Sequence, residues 1–178
     1  MPKASETTTE ARGQVQPLKQ VALERLEWAR GCAERILADI PDDKATFQAG
    51  GAGNHALWVT GHLAVIDDLI LHAHTGCRHE LPERYRTLFG IESRPVDDPA
   101  AYPSRRELSD ALHLHRRRLV TWVESLDDES AWKSSPEYFR PFAPDAITTP
   151  FAAAAHDLMH AGQVTVVRAA LRLPVVRR

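Results

Sequence analysis

The stretch FAAAAHDLMHAGQVTVVRAALRLP, residues 151–174, is an alanine-rich helical pattern that two histidines interrupt, one turn apart. Positions i, i+4 and i+7 of a helix share a face, so His156, His160 and Gln163 project the same way, alongside Met159. We expect this face to point inward. Polar groups on a core-facing stripe need partners, because burying them unpaired costs free energy. The partner is either a metal ion or ordinary hydrogen bonding, and the histidine pair alone does not decide between them.

The composition restricts the class of protein. The 178 residues are 43% hydrophobic and 26% charged with a net charge of −2, which fits one domain with a full core, or one domain plus a tail. Because there is no basic excess, we predict no nucleic-acid binding, and we interpret the arginines of RRELSDALHLHRRR (residues 105–118) as the solvent-facing side of a helix. No apolar run approaches the roughly 18 residues that a membrane span needs, so no membrane is expected.

The N-terminal residues MPKASETTTEARGQ are polar where a signal peptide would need an apolar stretch. We predict a flexible tail over residues 1–14 and a single domain over residues 15–178. Cys32 and Cys77 have no metal-site spacing and are predicted to be free, buried or half-buried thiols of a reduced, cytoplasmic protein. Trp58 and Trp122 each lie on an apolar stripe and are predicted to be core residues, not ligand platforms.

Apolar residues at spacings of three and four predict four long helices, over about residues 18–40, 54–76, 104–126 and 149–173. Ser104 and Glu107 form a capping-box pattern, while Thr149 is placed to cap the last helix with Pro150 at its first position. A short helix is expected near residues 83–90, and no strand pattern is visible. These features predict an all-α fold, a four-helix bundle with long connections, with the loops 41–53, 77–103 and 127–148 at the mouth of any site.

Helical periodicity turns four of the nine histidines inward: His62, His115, His156 and His160. The other five, which are His55, His72, His74, His79 and His113, are predicted near helix ends, on outer faces or in a loop. Bundle cores commonly build metal sites from side chains on facing helices. His156 and His160 provide an i, i+4 chelate, and a third imidazole would leave a coordination position open, as in catalytic sites. The sequence leaves three roles open for His115, which are a fourth ligand, an acid–base group and a core histidine, and it favours the core role.

Two segments resemble a known family. NHALWVTGHL (residues 54–63) and HDLMHAGQVTVVRAALRLP (residues 156–174) are similar to the two signatures of the DinB-like (YfiT-like) metalloprotein family of bacterial four-helix bundles. The resemblance extends over about residues 15–175. It implies a metal triad of His62, His156 and His160. Gln163 lies at the glutamine position of the second signature, which implies a supporting role beside the ligands. The chain departs from the family pattern at Arg172, where the family often has glycine.

The resemblance also implies a range of activities, which includes S-transfer with low-molecular-weight thiols, thiol-dependent maleylpyruvate isomerisation and metal-dependent hydrolysis. All of them share an open metal position that lowers the pKa of water or of a thiol. Neither cysteine is placed to be the nucleophile, so any thiol would be a cosubstrate. We therefore predict a metal-dependent transferase or hydrolase that acts on a small molecule with one divalent transition metal (Zn, Ni or Fe), with a homodimer left open. The alternatives are a non-catalytic metal-binding protein and a helical dimerisation module.

Overall fold

The computed structural model describes residues 14–176. The regular elements in this range are all helices: five α-helices and several short 3-10 turns. The helices are α1 (Val15–Ala38), α2 (Ala56–Thr75), α3 (Glu83–Phe89), α4 (Arg105–Ser125) and α5 (Thr149–Ala170). The all-α prediction is confirmed, and α3 is the short helix expected between the second and third long ones. The tail predicted over residues 1–14 lies, apart from Gln14, outside the described residues, as do residues 177 and 178 of the predicted domain.

The four long helices pack in pairs. The most extensive contacts join α1 to α5 and α2 to α4, and further contacts join α1 to α4 and α2 to α5. Of these two pairs, α2 and α4 follow one another among the long helices of the chain, whereas α1 packs most extensively on α5, the last helix. This arrangement places α2 beside α5, and these two helices carry the histidines of both sequence signatures.

The apolar stripes predicted from the sequence form the core. Leu26 of α1 and Leu119 of α4 are completely buried, and full burial of one leucine side chain stabilises a fold by roughly 1.5–3 kcal/mol. Trp58 is also buried, as predicted. Trp122 is only half-buried, because it lies at the edge of the core where its ring contacts His74, with the ring centroids 4.7 Å apart. The expectation of a core position is therefore met in full by Trp58 and in part by Trp122.

The ends of α2 and α4 follow the expected chemistry, with one correction. Gly76 ends α2 in the left-handed conformation (φ 70°), and the capping box of Ser104 and Glu107 is present. The N-cap of α2, however, is His55 and not Asn54. The His55 Nδ1 accepts a hydrogen bond from the Trp58 backbone N–H (3.1 Å), and its Nε2 lies 3.2 Å from the Val96 carbonyl. His55 is thus at a helix end, as predicted, but it is fully buried.

Helix α5 differs from the prediction at both ends. Thr149 is its first helical residue and Thr148 the N-cap, and the helix ends at Ala170, three residues earlier than expected. Arg172 follows in the left-handed region with a φ of 57°. Glycine adopts this conformation without strain. The position where the resemblance leads one to expect glycine therefore has the backbone conformation that favours glycine, although this chain carries arginine there.

Four charged side chains meet in the core, one from each long helix. Arg30 of α1 and Arg116 of α4 bind Asp67 of α2 and Asp157 of α5 at distances of 2.9–3.1 Å, and all four are buried. Burial lowers the pKa of Arg30, but the charges of the two aspartates outweigh it, so the pKa of this guanidinium is raised. The interpretation of the arginine run in α4 as solvent-facing is therefore wrong for Arg116, which is held inside by two carboxylates.

Helix α2 is long and apolar enough to cross a membrane by length and composition alone, although no such run was expected. Most of the helix is buried against the other helices. Asp67 and Asp68 lie within it, and their carboxylates are bound inside the fold to arginine and histidine side chains. The core helix of a folded domain passes the same test, so this finding is only weak evidence for a membrane span.

Candidate metal centre

Three imidazoles from two helices converge at one point. His62 projects from α2, and His156 and His160 project from successive turns of α5. The His156 Nε2 lies 3.3 Å from the His62 Nε2 and 3.1 Å from the His160 Nε2. One ligand atom from each residue lies within 4.8 Å of the others, so the group could hold a metal ion. The structure thus brings together the three residues that the resemblance implies.

Hydrogen bonds fix which nitrogen of two rings faces the centre. The His62 Nδ1 lies 2.7 Å from the Phe89 carbonyl oxygen, which can only accept, so this nitrogen carries the proton. The His160 Nδ1 lies 2.9 Å from the Gln163 Oε1 and donates to it. In a neutral imidazole the other nitrogen is then unprotonated. The Nε2 lone pairs of His62 and His160 therefore both point toward His156.

Burial keeps these imidazoles neutral at physiological pH. It lowers the pKa of His62 to about 4 and, with help from the neighbouring histidines, the pKa of His156 to about 3. Burial also lowers the pKa of His160, and the hydrogen bond that His160 donates to Gln163 opposes this effect. Neutral imidazole is the form that binds metal ions, so the group needs no proton release near pH 7 to act as a ligand set.

The spacing of the three nitrogens fits a single divalent ion. A proton on the His156 Nε2 could form a good hydrogen bond to the Nε2 lone pair of either His62 or His160, but not to both. A metal ion, in contrast, accepts the lone pairs of all three nitrogens at once. Nitrogens bound to one ion at about 2.0–2.1 Å with tetrahedral angles stand roughly 3.3–3.4 Å apart. The two measured separations, 3.1 and 3.3 Å, are close to this value. The residues present therefore fit a divalent transition metal with three imidazole ligands.

The glycine before His62 explains part of the Gly-His-Leu signature. A Cβ atom on Gly61 would lie 2.5 Å from ring atoms of Phe89, whose side chain is fully buried. Only glycine therefore lets α3 approach α2 this closely. The same approach delivers the Phe89 carbonyl to the His62 Nδ1, so the small residue at position 61 positions the ligand at position 62.

We expect Gly61→Ala to lower the free energy of unfolding by about 1–3 kcal/mol, because overpacking forces Phe89 to shift. The shift should also weaken the hydrogen bond that orients His62. Urea denaturation and zinc titration of the purified variant test both effects. Gly162→Ala is the matched control, because a methyl group added there would have no heavy atom within 4 Å outside its own stretch of helix. A Gly61→Ala variant as stable as the Gly162→Ala variant would show that Phe89 can move without cost.

Trp58 forms one wall of the site. Its indole stacks on the His62 ring with the centroids 4.4 Å apart and the planes 14° apart. The indole N–H donates to the Leu88 carbonyl and the Ser93 hydroxyl, both at 3.0 Å. The side chain is thus a core residue, as predicted, but it also contacts a candidate ligand and lines the adjoining pocket, so its role is not packing alone.

An apolar pocket of about 800 Å³ opens onto all three histidines. The connection 77–103 contributes Ile91 and Ser93, and the connection 127–148 contributes Tyr138, Phe139 and Phe142, as expected for loops at the mouth. No residue of the loop 41–53 is among the described residues that line this pocket. Ala143 of the connection 127–148 and Asn54, which precedes the N-cap of α2, also line the pocket. The remaining lining residues come from α2 and α5: Trp58, His62, Ile66, Ile70, Thr149, Ala152, Ala153, Ala155, His156, Met159 and His160.

Two further sequence predictions concern residues beside the triad. Gln163 contacts the candidate ligand His160, and its Oε1 also accepts a hydrogen bond from the Asn54 side chain at 2.8 Å. Gln163 and Met159 are, however, exposed and not inward-facing as expected. His115 is buried, with its Nδ1 3.6 Å from the Asp68 Oδ1, and it is not among the described residues that line the pocket. This environment fits the core role favoured for His115.

Sequence reasoning missed three contributions to this region. The backbone of Phe89 orients His62, and Asn54 orients Gln163, but carbonyl contacts and amide pairs have no signature in one sequence. The buried Asp157 follows His156 directly and holds α5 to the arginines of α1 and α4. A signal for it existed: each member of the buried charge cluster stands one position after a residue already assigned to an inward stripe, and the four charges balance.

Comparison with protein-family models finds a match over most of the chain. The model described as the DinB superfamily matches residues 25–164, a range that contains His62, His156, His160 and Gln163. No curated protein matches the chain.

Proposed function

This chain belongs to the DinB superfamily, and from that premise we propose that it is a metal-dependent enzyme acting on a small molecule. It binds one divalent transition metal through His62, His156 and His160, and it is of the thiol S-transferase or hydrolase type. We also propose that its four long helices form the four-helix bundle expected from the sequence. Zinc, nickel and iron all accept imidazole ligands. The cytoplasmic location and the homodimer stay predictions.

The observation that carries this proposal is the pocket that all three histidines line, beside the point where their Nε2 atoms converge. A helical dimerisation module has no need of a cavity beside its histidines. A metal store also needs no apolar pocket of about 800 Å³, which is within the size range of small-molecule sites. An open coordination position and an adjoining pocket together are typical of a catalytic centre.

The residues around the triad have distinct roles in this proposal. A divalent ion with three neutral imidazole ligands supplies Lewis acidity that lowers the pKa of a water molecule or thiol. The Phe89 carbonyl and Gln163 hold His62 and His160 with Nε2 toward the centre. Cys32 and Cys77 do not line the pocket among the described residues, so a thiol would enter as a cosubstrate.

The transferase and hydrolase types can be separated with cobalt-substituted protein. Three neutral imidazoles leave the ion its full positive charge, which favours an anionic fourth ligand, and thiolate is a soft donor that such ions accept. In the transferase case, titration with small thiols should produce a sulfur-to-metal charge-transfer band. In the hydrolase case, ester or amide turnover should rise with one ionisation near neutral pH. No band with any thiol, together with turnover that vanishes in His62→Ala, would leave hydrolysis standing. The absence of both the charge-transfer band and the turnover would contradict the proposed enzyme.

We expect Gln163→Leu to reduce zinc affinity by roughly 10- to 100-fold, as removal of a hydrogen-bond partner of a metal-binding histidine typically does. The leucine cannot accept the His160 Nδ1 proton, so the ring loses its fixed tautomer and orientation. Competition with a chelator measures the affinity. Thr165→Val is the matched control, because Thr165 is exposed on the same helix and its hydroxyl bonds only within the helix, to the Gly162 carbonyl. Equal affinities in the two variants would remove Gln163 from the site.

A further inference from the structure

We infer that the substrate of this site has one anionic donor group at the metal end and an uncharged, apolar body that lies along α5 toward Thr149. The inference rests on the proposed function and extends it to the chemical class of the substrate. Four features of the pocket support it: the lack of Asp, Glu, Lys and Arg among its described lining residues, the hydrogen bonds that Asn54, Ser93 and Thr149 already make, its length and its exposed apolar rim.

The pocket offers no partner for a charged substrate body. None of the described residues that line it is Asp, Glu, Lys or Arg. The carboxylate adjacent in sequence to a candidate ligand is Asp157, and it is bound to Arg30 and Arg116 inside the charge cluster. The positive charge of a bound divalent ion is therefore not balanced by a carboxylate in the pocket wall, so an anionic donor is favoured at that end. Any second charge on the ligand would be desolvated without compensation.

Three polar side chains that line the pocket, those of Asn54, Ser93 and Thr149, already have hydrogen-bond partners. Asn54 donates to Gln163, and the Ser93 hydroxyl accepts from the Trp58 N–H and donates to the Gly90 carbonyl. The Thr149 hydroxyl lies 3.1 Å from the His74 Nε2 and donates to the Asp145 carbonyl at 3.2 Å. Burial lowers the pKa of His74 to about 4, so this histidine is neutral at pH 7. The end of the pocket at Thr149 therefore presents an uncharged and largely satisfied surface.

The pocket follows one face of α5. Thr149, Ala152, Ala153 and His156 line it at spacings of three and four. His156 lies seven positions after Thr149 on the helix, a rise of about 10 Å. The alanine side chains leave room along this face, and Ile66 and Ile70 of α2 form the opposite wall. The space fits a narrow apolar group that extends roughly 10 Å from the triad.

The rim of the pocket is apolar and exposed. Ile91, Tyr138, Phe142 and Met159 line it and are each at least half exposed, with Phe142 at 70%. Large apolar side chains grouped around one opening mark a binding surface more often than single exposed ones do. A bound apolar body would cover them, which links the rim to the same ligand class as the interior.

The test uses full-length zinc-loaded protein whose zinc content is measured first. Calorimetric titrations compare acetate, butyrate, hexanoate and octanoate with suberate, which has the length of octanoate but a second carboxylate. We expect affinity to rise about threefold to fourfold per methylene group until the tail reaches the end of the pocket. Suberate should bind at least tenfold more weakly than octanoate. Equal affinity along the monocarboxylate series, or suberate equal to octanoate, overturns the inference.

Two alanine variants locate the tail. Ala152→Leu fills the pocket beside Thr149 and should reduce octanoate affinity at least tenfold, whereas Ala169→Leu, an exposed position on the same helix, should leave it unchanged. Equal octanoate affinity in both variants would place the tail elsewhere and overturn the inference.

Sedimentation of the wild type and of Phe142→Ser gives a further check. A dimer that dissociates in Phe142→Ser would show that a second copy covers the rim, and this too would overturn it. Failure to bind zinc at all would instead refute the proposed function.

Discussion

Replacing Asp67 with asparagine should lower the free energy of unfolding by about 3–5 kcal/mol, as expected when one partner of a buried ion pair loses its charge. Asp67 binds both Arg30 and Arg116, so the variant leaves two buried guanidinium groups with a single carboxylate, that of Asp157. Asparagine preserves the shape of the side chain and creates no cavity. The loss of unfolding free energy therefore reflects the missing charge and hydrogen bonds.

Urea denaturation followed by circular dichroism measures this effect. Asp110→Asn is the matched control, because Asp110 is exposed and faces Arg106 at 3.9 Å on the surface of α4, where ion pairs contribute little. Replacing all four charged residues of the cluster by leucine and methionine should be less destabilising than the single change, since no unpaired charge is then buried. A urea midpoint of Asp67→Asn equal to that of the control would show that water reaches the cluster.

Replacing Trp58 with alanine should cost about 3–5 kcal/mol of unfolding free energy, the range for truncation of a buried tryptophan. The variant loses the packing of α2 on α3, the two hydrogen bonds of the indole N–H, and the stacking on His62. We therefore expect zinc affinity to fall as well. Trp58→Phe keeps an aromatic ring against His62 and should retain more of the zinc affinity than Trp58→Ala.

Trp28 supplies the matched control for this prediction. Its side chain is half exposed on α1 with the Arg25 guanidinium over its ring at 5.7 Å. Trp28→Ala removes the same side chain from the surface and should lower the urea midpoint much less than Trp58→Ala. Trp122→Ala should fall between them, because Trp122 is half-buried. Equal midpoints for Trp58→Ala and Trp28→Ala would contradict the assignment of Trp58 to the core.

The sequence predicted the helices well because their cores repeat at the helical period. Leu108, Leu112, His115 and Leu119 were all expected on one stripe, and all are buried. Residues 54–76 and 104–126 contain α2 and α4 with only small errors at the ends, which depend on single caps such as His55. Helical periodicity does not show what a buried polar residue binds. Arg116 was therefore assigned to the solvent-facing side of α4, although it is buried.

The sequence predicted the three histidines that converge in the structure, but not the groups that orient them. His156 and His160 share a helix, so their common face follows from spacing alone. Periodicity also turned His62 inward, and the resemblance selected it as the third candidate ligand. The roles of Phe89 and Asn54 depend on how α3 and the turn before α2 pack against the rest of the fold, and no local pattern encodes these contacts. The pocket likewise arises from small residues of α5 facing Ile66 and Ile70, an arrangement that only the packed structure shows.

The most direct test of the metal assignment is elemental analysis of protein purified without a histidine tag. We predict close to one divalent transition metal ion per chain. His156→Ala and His160→Ala should each lose most of it while keeping helical circular dichroism, and His113→Ala, an exposed histidine paired with Glu34, should retain it. Full metal retention in both α5 variants, or wild-type protein that takes up no metal even when it is supplied, would contradict the account.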